Sequence, residues 1–435
     1  MLLKNGTIIN PATDFEGISD IRIENGIITK IAKNITPDAN EEVIDLTGKT
    51  VTPGLVDMHC HLREPGFNAK ETIKTGIASA INGGYTAICP MANTNPQIDN
   101  AATLMYTISK AKETGEIGFH PICAVTKGLK SEKIVNVSEL LDNGAIAFSD
   151  DGKPVENMHL LREALKYINS HNSIIISHSE DTSLANGGVI NEGKVSTRLG
   201  LKGIPSITES LAIARELEVI RSVNGRYHFA HVSTKRSVEL IRQAKKDGLH
   251  ITAETTPHYI SLTEDDMVDY DAKYKVNPPL RTKEDLDAVI EGLKDGTIDV
   301  IATDHAPHTI SEKLKPIQNA PMGIAGFETA LGLTLTNLVH TGKLTLLDAL
   351  KKLNYNPSQI LKLRNQGIIK TGAKANLTVI DLNEEWSVNA SNFKSKCRIS
   401  PFDGMKLKGR AKMTIINGKI FNIVRTKFHD KPDRV

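Results

Sequence analysis

Two histidines one residue apart, His59 and His61, close the apolar run Leu55-Val56-Asp57-Met58-His59-Cys60-His61. In a β-strand, residues i and i+2 project to the same side, so this pair can grip one cation. Alone, such a pair is a weak signal, and it gains weight from what ends the other apolar runs. Asp150-Asp151-Gly152 follows Ala145–Ser149, His178 closes Ile174–His178, His231 closes Tyr227–His231, and Asp304 closes Val300–Asp304. Imidazole and carboxylate ligands suit Zn²⁺, with Mn²⁺ or Co²⁺ as substitutes. On spacing alone, either Asp150 or Asp151 can ligate. A carboxylate at that place can bridge two cations, with His59 and His61 on one and His178 and His231 on the other, around a shared hydroxide. Asp304 would then touch metal and hydroxide, take the proton of the nucleophile and return it to a leaving nitrogen.

A second set of residues has the character of substrate contacts. Arg63 begins the loop just beyond His61, where its rigid fork suits a carboxylate. The competing reading is a structural pairing with Glu64 or Glu71. Asn93 in Met91-Ala-Asn-Thr-Asn-Pro96 can hydrogen-bond the same carboxylate, and Asn277 in Val276-Asn-Pro-Pro279 can bind amide groups of a ring. His308, beyond Pro307, reads as a substrate contact, whereas His305 reads as packing behind the ligands. At Met322-Gly323 the glycine lets the backbone approach a ligand closely. His258 is ambiguous. His120, His159, His171, His228, His250, His340 and His429 read as core, surface or helix-end residues.

The elements that must position these groups alternate through the middle of the chain. Strand candidates are Thr50–His59, Tyr85–Cys89, Gly118–Ala124, Ala145–Ser149, Ser173–His178, Tyr227–His231, His250–Thr255 and Asp299–Thr303. Helical patterns follow most of them, such as Lys70–Asn82, Ile207–Val223, Thr234–Asp247, Lys283–Leu293 and Phe327–Thr341. Eight such units predict an α/β fold, a (β/α)₈ TIM-like barrel, whose active sites lie at the C-terminal ends of the strands. A doubly wound open sheet is the rival, but no G-x-G-x-x-G follows the first strand. Short strands and hairpin signals mark both ends: Asn5-Gly6, Asn25-Gly26 and Asn417-Gly418. Neither end has enough strands for a core, which predicts one small β-domain from both. The expected division is 1–50 with 365–425 for that domain, 51–364 for the barrel and 426–435 for a C-terminal tail.

The bulk properties exclude several classes. The 435 residues are 40% hydrophobic and 24% charged, with 53 basic against 51 acidic side chains and a net charge of +2. Nothing there points to nucleic acid. No stretch approaches the ~20 apolar residues of a membrane span, and Met1-Leu-Leu-Lys-Asn-Gly6 does not resemble a secretory signal. Cys60, Cys89, Cys123 and Cys397 are far apart and form no C-x-x-C pair, which reads as reduced thiols of a cytoplasmic protein. Cys60 and Met58 are expected to face away from the histidines.

Together, several motifs resemble the class I dihydroorotases of the amidohydrolase superfamily. They are Asp57-Met-His-Cys-His-Leu-Arg-Glu-Pro-Gly66, Cys89-Pro-Met-Ala-Asn-Thr-Asn-Pro96, Phe148-Ser-Asp-Asp-Gly152, His231-Val-Ser-Thr234, Val276-Asn-Pro-Pro-Leu-Arg281 and Ala302-Thr-Asp-His-Ala-Pro-His308. The resemblance spans nearly the whole chain. It implies metal ligation by His59, His61, Asp151, His178, His231 and Asp304, and so prefers Asp151 to Asp150. It implies two Zn²⁺ bridged by Asp151 and a hydroxide, with Asp304 as catalytic base. Implied substrate contacts are His61, Arg63, Asn93, Asn277, His308 and the Met322-Gly323 segment. The implied reaction is the reversible cyclisation of N-carbamoyl-L-aspartate to L-dihydroorotate and water, a step of pyrimidine biosynthesis. A homodimer and an assembly with aspartate transcarbamoylase are both compatible with it. The departures are Met58 and Cys60 in place of small β-branched residues, Met322 where the family often has Phe, and the loop Phe67-Asn-Ala-Lys70. The nearest alternative is an allantoinase or a hydantoinase-like enzyme. Those relatives commonly bridge their metals with a carbamylated lysine, whereas here Lys153 is displaced by two from Asp151, and they lack an arginine at position 63. A non-catalytic scaffold homologue is a further alternative, expected to have lost ligands.

Overall fold

The computed structural model describes residues 1–115 and 117–422. The tail expected at 426–435 lies outside the described residues, as do residues 423–425 of the expected β-domain. The protein is α/β, built on parallel strands whose crossovers are helices, with a separate antiparallel-rich sheet that draws on both chain ends.

That separate sheet has the order Lys419–Asn422, Lys406–Ile416, Leu377–Ser387, Thr50–Pro53, Leu2–Asn10, Phe15–Glu24, Ile27–Ala32, with Val43–Asp45 paired to Leu2–Asn10. Ile8, Ile21, Ile23, Ile28, Leu377, Val379 and Ile415 share one buried apolar cluster on it. Two of the expected hairpins form as the sequence predicts. Asn25 and Gly26 (φ 51° and 78°) and Asn417 and Gly418 (φ 49° and 80°) supply the left-handed pairs that tight hairpin turns need. Asn5-Gly6 does not make a hairpin. Leu2–Asn10 runs on as one strand, and the left-handed Asn5 marks a shift of register between Leu3 and Gly6. Glycine is required there because a Cβ on Gly6 would lie 2.9 Å from Val51 Cγ2.

Besides a short parallel pair, Ile190–Asn191 with Gly203–Ile204, the parallel strands of the middle region form two sheets among the described residues. One runs Leu55–Cys60, Tyr85–Pro90, Gly118–Phe119; the other runs Ile122–Cys123, Ala147–Phe148, Ile175–Ser177, Tyr227–Phe229, Ile251–Thr255, Val300–Ile301. Gly118–Phe119 and Ile122–Cys123 are one predicted strand, interrupted at His120-Pro121, because proline has no N–H for a ladder. At the other edge Cys60 bridges His305 in parallel, and His61 N donates to His305 O at 2.8 Å. Asp57, in the first strand, accepts from Thr303 N (2.8 Å) and Thr303 Oγ1 (2.7 Å), which ties that strand to the residue before Asp304. The helices follow the strands as predicted, at Ile73–Gly83, Ile207–Val223, Lys235–Lys246, Lys283–Lys294 and Phe327–Thr334. Thr72, Thr234 and Thr282 cap three of them, and the first consequently starts three residues later than Lys70. Among the described residues no helix is long and apolar enough to cross a membrane.

The expected strand Thr50–His59 is two strands. Thr50–Pro53 pairs in the flanking sheet and Leu55–Cys60 in the parallel one, with Gly54 as the joint. A Cβ on Gly54 would overlap the side chain of Thr86, which is fully buried and cannot swing aside. Gly54→Ala is therefore expected to lower stability by about 1–3 kcal/mol, as overpacking does. Urea unfolding checks this, and an unchanged midpoint would show that the joint is not tight.

Candidate metal centre and active site

Five parallel strands deliver histidine or aspartate at their C-terminal ends, and those ends meet. His59 Nε2 lies 3.3 Å from Asp151 Oδ1, His61 Nε2 lies 3.3 Å from Asp151 Oδ2, and His231 Nε2 lies 3.4 Å from Asp151 Oδ1. His178 Nδ1 is 3.7 Å from Asp151 Oδ1. Asp304 Oδ1 is 3.0 Å from His61 Nε2 and 3.5 Å from His59 Nε2. Two groups have the compactness of a cation site, His59–His61–Asp151 and Asp151–His178–His231, and they share Asp151.

Asp150 is built differently from its neighbour. Its carboxylate accepts from Val125 N (2.8 Å), Thr126 N (3.0 Å) and Thr126 Oγ1, so it anchors the preceding loop and points away from the histidines. Sequence spacing could not separate the two aspartates because both follow the same strand.

The outer nitrogens of three histidines are held from behind. His59 Nδ1 meets Glu254 Oε1 at 2.5 Å, His61 Nδ1 meets Asn93 Oδ1 at 2.8 Å, and His178 Nε2 meets Glu180 Oε2 at 3.1 Å. Each of these oxygens accepts, so the tautomer assigned from the network puts the proton outside and a lone pair inside. Four inward nitrogens and two carboxylates then crowd one small volume. His178 Nδ1 and His231 Nε2 are 2.9 Å apart, and among the described residues the buried atoms His59 Nε2 and Asp151 Oδ1 find no hydrogen-bond partner of good geometry. Lone pairs facing lone pairs in a buried place need a cation between them. The donor set therefore fits divalent metal.

Titration behaviour follows the same crowding. Burial pushes the Asp151 carboxyl up, but the imidazoles of His59, His178 and His231 outweigh it and hold Asp151 well below the usual carboxylate range. Asp304 is likewise lowered, burial being overcome by His61 and His59. Burial lowers His178, yet Asp151 and Glu180 win and raise it to about 10.

Around this cluster is a cavity of about 220 Å³, lined by His61, Arg63, Asn93, Asp151, Gly152, His178, His231, Val276, Asn277, Asp304, Ala306, Met322 and Gly323. The structure thus brings Arg63, Asn93, Asn277, Met322 and Gly323 to the same opening as the ligand candidates. Arg63 Nε donates to Pro307 O at 3.2 Å, and among the described residues Arg63 forms no ion pair with Glu64 or Glu71. Glu64 instead accepts from Ile73 N and Tyr106 Oη, and Glu71 from Thr75, Ser395 and Lys396. Burial lowers the Arg63 pKa. Arg63, His231 and Asp304 adopt left-handed backbone (φ 63°, 34° and 43°), a conformation side-chain-bearing residues avoid and functional sites tolerate. Gly323 (φ 143°) is packed against Ala306 O, so no larger residue fits.

His308 sits behind the cavity wall. Its Nε2 meets Met322 O at 2.8 Å and Arg63 Nη2 at 3.3 Å, and Lys70 Nζ approaches its Nδ1 at 3.3 Å. Burial, then Arg63 and Lys70, keep it neutral. One tautomer satisfies the Met322 and Lys70 contacts, with Nε2–H donating to Met322 O and Lys70 donating to Nδ1, and it leaves Arg63 Nη2 close to Nε2 without a hydrogen bond to it. His305 is buried, stacks on Phe327 at 4.2 Å and lies 3.4 Å from Glu71, which fits the packing reading. His258 is fully enclosed beside Tyr259, its pKa lowered by burial to about 4. Cys60, Cys89, Cys123 and Cys397 are free and buried, and Met58 and Cys60 pack in apolar clusters, away from the ligands.

Sequence reasoning missed Glu254 and Glu180. Glu254 joins His59 to His228, whose Nε2 is 3.2 Å from Glu254 Oε2, so a histidine read as plain core is one step from the cluster. A glutamate inside the apolar strand Ile251–Thr255 was the available signal.

Fold and site together define a class, the amidohydrolases, and residues 202–421 match the family described as Amidohydrolase family. Residues 48–237 match the family described as Dihydro-orotase-like. A dihydroorotase of Acetivibrio thermocellus is 50% identical over 427 residues, covering 98% of this chain and 99% of that protein. A dihydroorotase of Ruminiclostridium cellulolyticum is 48% identical, covering 96% and 97%. Among solved structures, the L-hydantoinase (dihydropyrimidinase) from Arthrobacter aurescens superposes with a TM-score of 0.87 at 27% identity, over 96% of this chain and 95% of that one. This chain belongs to the dihydroorotase family.

Proposed function

We propose that the chain interconverts L-dihydroorotate and water with N-carbamoyl-L-aspartate at this cavity. The observation that carries the reading is the pair of histidine triads sharing Asp151, opening onto a cavity that also holds a half-buried arginine, which among the described residues forms no ion pair. His59 and His61 would hold one divalent cation, His178 and His231 a second, and Asp151 would bridge them; the donor chemistry suits zinc. When bound, such metals supply Lewis acidity that activates water and polarises an amide carbonyl.

The chain's own residues do the rest. Arg63 binds the substrate carboxylate through its fork, with Asn93 beside it. Asn277 and the Met322-Gly323 backbone bind the ring amide groups on the opposite wall. His308 keeps the Arg63 and Met322 segments in register. In hydrolysis, Asp304 accepts a proton from the attacking water and returns it to the ring nitrogen as the C–N bond breaks. In cyclisation, Asp304 takes the carbamoyl N–H proton as that nitrogen attacks the side-chain carboxyl carbon and passes it to the departing oxygen, which leaves as water with a second proton taken up from solution. These are one path read in two directions.

The two parallel sheets are, in this reading, arcs of one (β/α)₈ barrel, meeting at His120-Pro121 and at the Cys60–His305 bridge. We assign residues 51–364 to it, apart from the part of Thr50–Pro53 within that range, and 1–50 with 365–422 to a small β-domain. Thr50–Pro53 pairs with the latter.

A hydantoinase-like activity is the reading that the Arthrobacter neighbour would favour. Asp151 in both triads, an exposed Lys153 and Arg63 at the cavity argue for a substrate that carries a carboxylate. The test is hydrolysis of dihydroorotate against hydantoin and allantoin. A preference of about 10³-fold or more in kcat/KM is expected, because a site built for a charged group rejects analogues that lack it. Faster hydrolysis of hydantoin would reject this assignment.

A further inference from the structure

Two lysines are buried beside the cavity, and among the described residues neither forms an ion pair. Lys275 is 4% exposed and Lys313 is 3% exposed. Burying an ammonium without a counter-charge is costly unless its protons are all accepted. Lys275 Nζ donates to Ile317 O (2.7 Å), Ala320 O (2.7 Å) and Gln318 O (3.2 Å), one carbonyl for each proton. Lys313 Nζ donates to Lys275 O at 3.1 Å and to Pro321 O at 3.2 Å. Gly323 N also donates to Lys275 O, at 2.9 Å.

Lys275 is thus tied at both ends. Its side chain gathers the turn at 317–320, and its backbone carbonyl receives Lys313 and Gly323. Asn277 lies two residues after it, and Met322 follows Pro321. The loop carrying Asn277 and the loop carrying Met322-Gly323 are therefore joined through one residue that does not itself line the cavity. An apolar side chain would fill the same space with no ammonium to desolvate, so packing alone does not account for lysine here.

We infer that Lys275 is a positioning residue, whose ammonium sets the spacing between Asn277 and the Met322-Gly323 backbone and so the fit of the ring amide. The inference rests on the proposed reading of the site. A misplacement of about 1 Å in a positioning group can cost one to two orders of magnitude. The metal-ligand candidates themselves lie on other elements of the chain.

The test compares Lys275→Met with Lys352→Met in the full chain. Lys352 is also buried and donates to Ile298 O at 2.8 Å, before the strand Val300–Ile301 and at the end opposite Asp304. Both variants lose an ammonium–carbonyl contact, and only the first does so beside the cavity. Lys275→Met is expected to raise KM for dihydroorotate about tenfold or more, with kcat within about threefold of native and zinc content per chain unchanged. Lys352→Met is expected to lose stability at native KM. Should Lys275→Met not fold, Lys313→Met is expected to show the same rise in KM. A native KM in the folded cavity-side variant overturns the inference, as does an equal rise in Lys352→Met. Failure of the native chain to hydrolyse dihydroorotate overturns the reading of the site and this inference with it.

Discussion

Asp304→Asn is expected to lower kcat for dihydroorotate hydrolysis by about 10³-fold, within the range that positioned general acid–base groups contribute. Asparagine has the same shape and keeps an oxygen toward His61 Nε2, now 3.0 Å away. It also tolerates the left-handed backbone at this position (φ 43°). What it cannot do is accept and return a proton. KM should therefore stay within a few-fold of native, and zinc content should match the native chain. Metal analysis on the same sample separates loss of the base from loss of a ligand. Near-native kcat at full zinc content would remove Asp304 from the role of base.

The second large effect concerns recognition. Arg63→Ala is expected to lower kcat/KM by roughly two to three orders of magnitude, because truncating one member of a buried charged pair costs about 2–5 kcal/mol. Its Nε is committed to Pro307 O at 3.2 Å, which aims the rest of the fork at the cavity. His308 is satisfied by Met322 O and Lys70, so the Arg63 Nη protons remain for a carboxylate. Arg63→Lys should recover only part of the loss, since a point charge cannot make two parallel hydrogen bonds. Zinc content should be native in both variants. An unchanged kcat/KM in Arg63→Ala would show that the carboxylate is bound elsewhere.

Much of this site was legible because strand geometry is regular. The i, i+2 rule placed His59 and His61 on one side of a strand, and apolar runs ending in His178, His231 and Asp304 marked further strand ends. Arg63 was legible from its place just beyond a ligand pair. Asp151 was not separable from Asp150 by pattern, because the difference lies in Val125 and Thr126, which capture one carboxylate from another loop. Glu254 was hidden for a related reason. Its partners His59 and His228 are distant in sequence, and nothing local distinguishes a supporting carboxylate from an ordinary strand residue. Asn5-Gly6 failed as a hairpin signal because Val51 and Leu46 pack over Gly6 and the strand continues. The Thr50–His59 run read as one strand because Gly54 leaves no mark in hydropathy where the chain changes sheets.

The central claim is that the shared-aspartate cluster holds the metal on which dihydroorotate chemistry depends. Returning zinc stepwise to the metal-free native chain, with hydrolysis of dihydroorotate measured at each addition, tests it most directly. The account predicts negligible turnover without metal and a rise that levels off near two zinc ions per chain, matching two triads that share Asp151. Undiminished hydrolysis by the metal-free chain would contradict it, as would full restoration of turnover in a chain whose His59 and His178 have both been replaced by alanine.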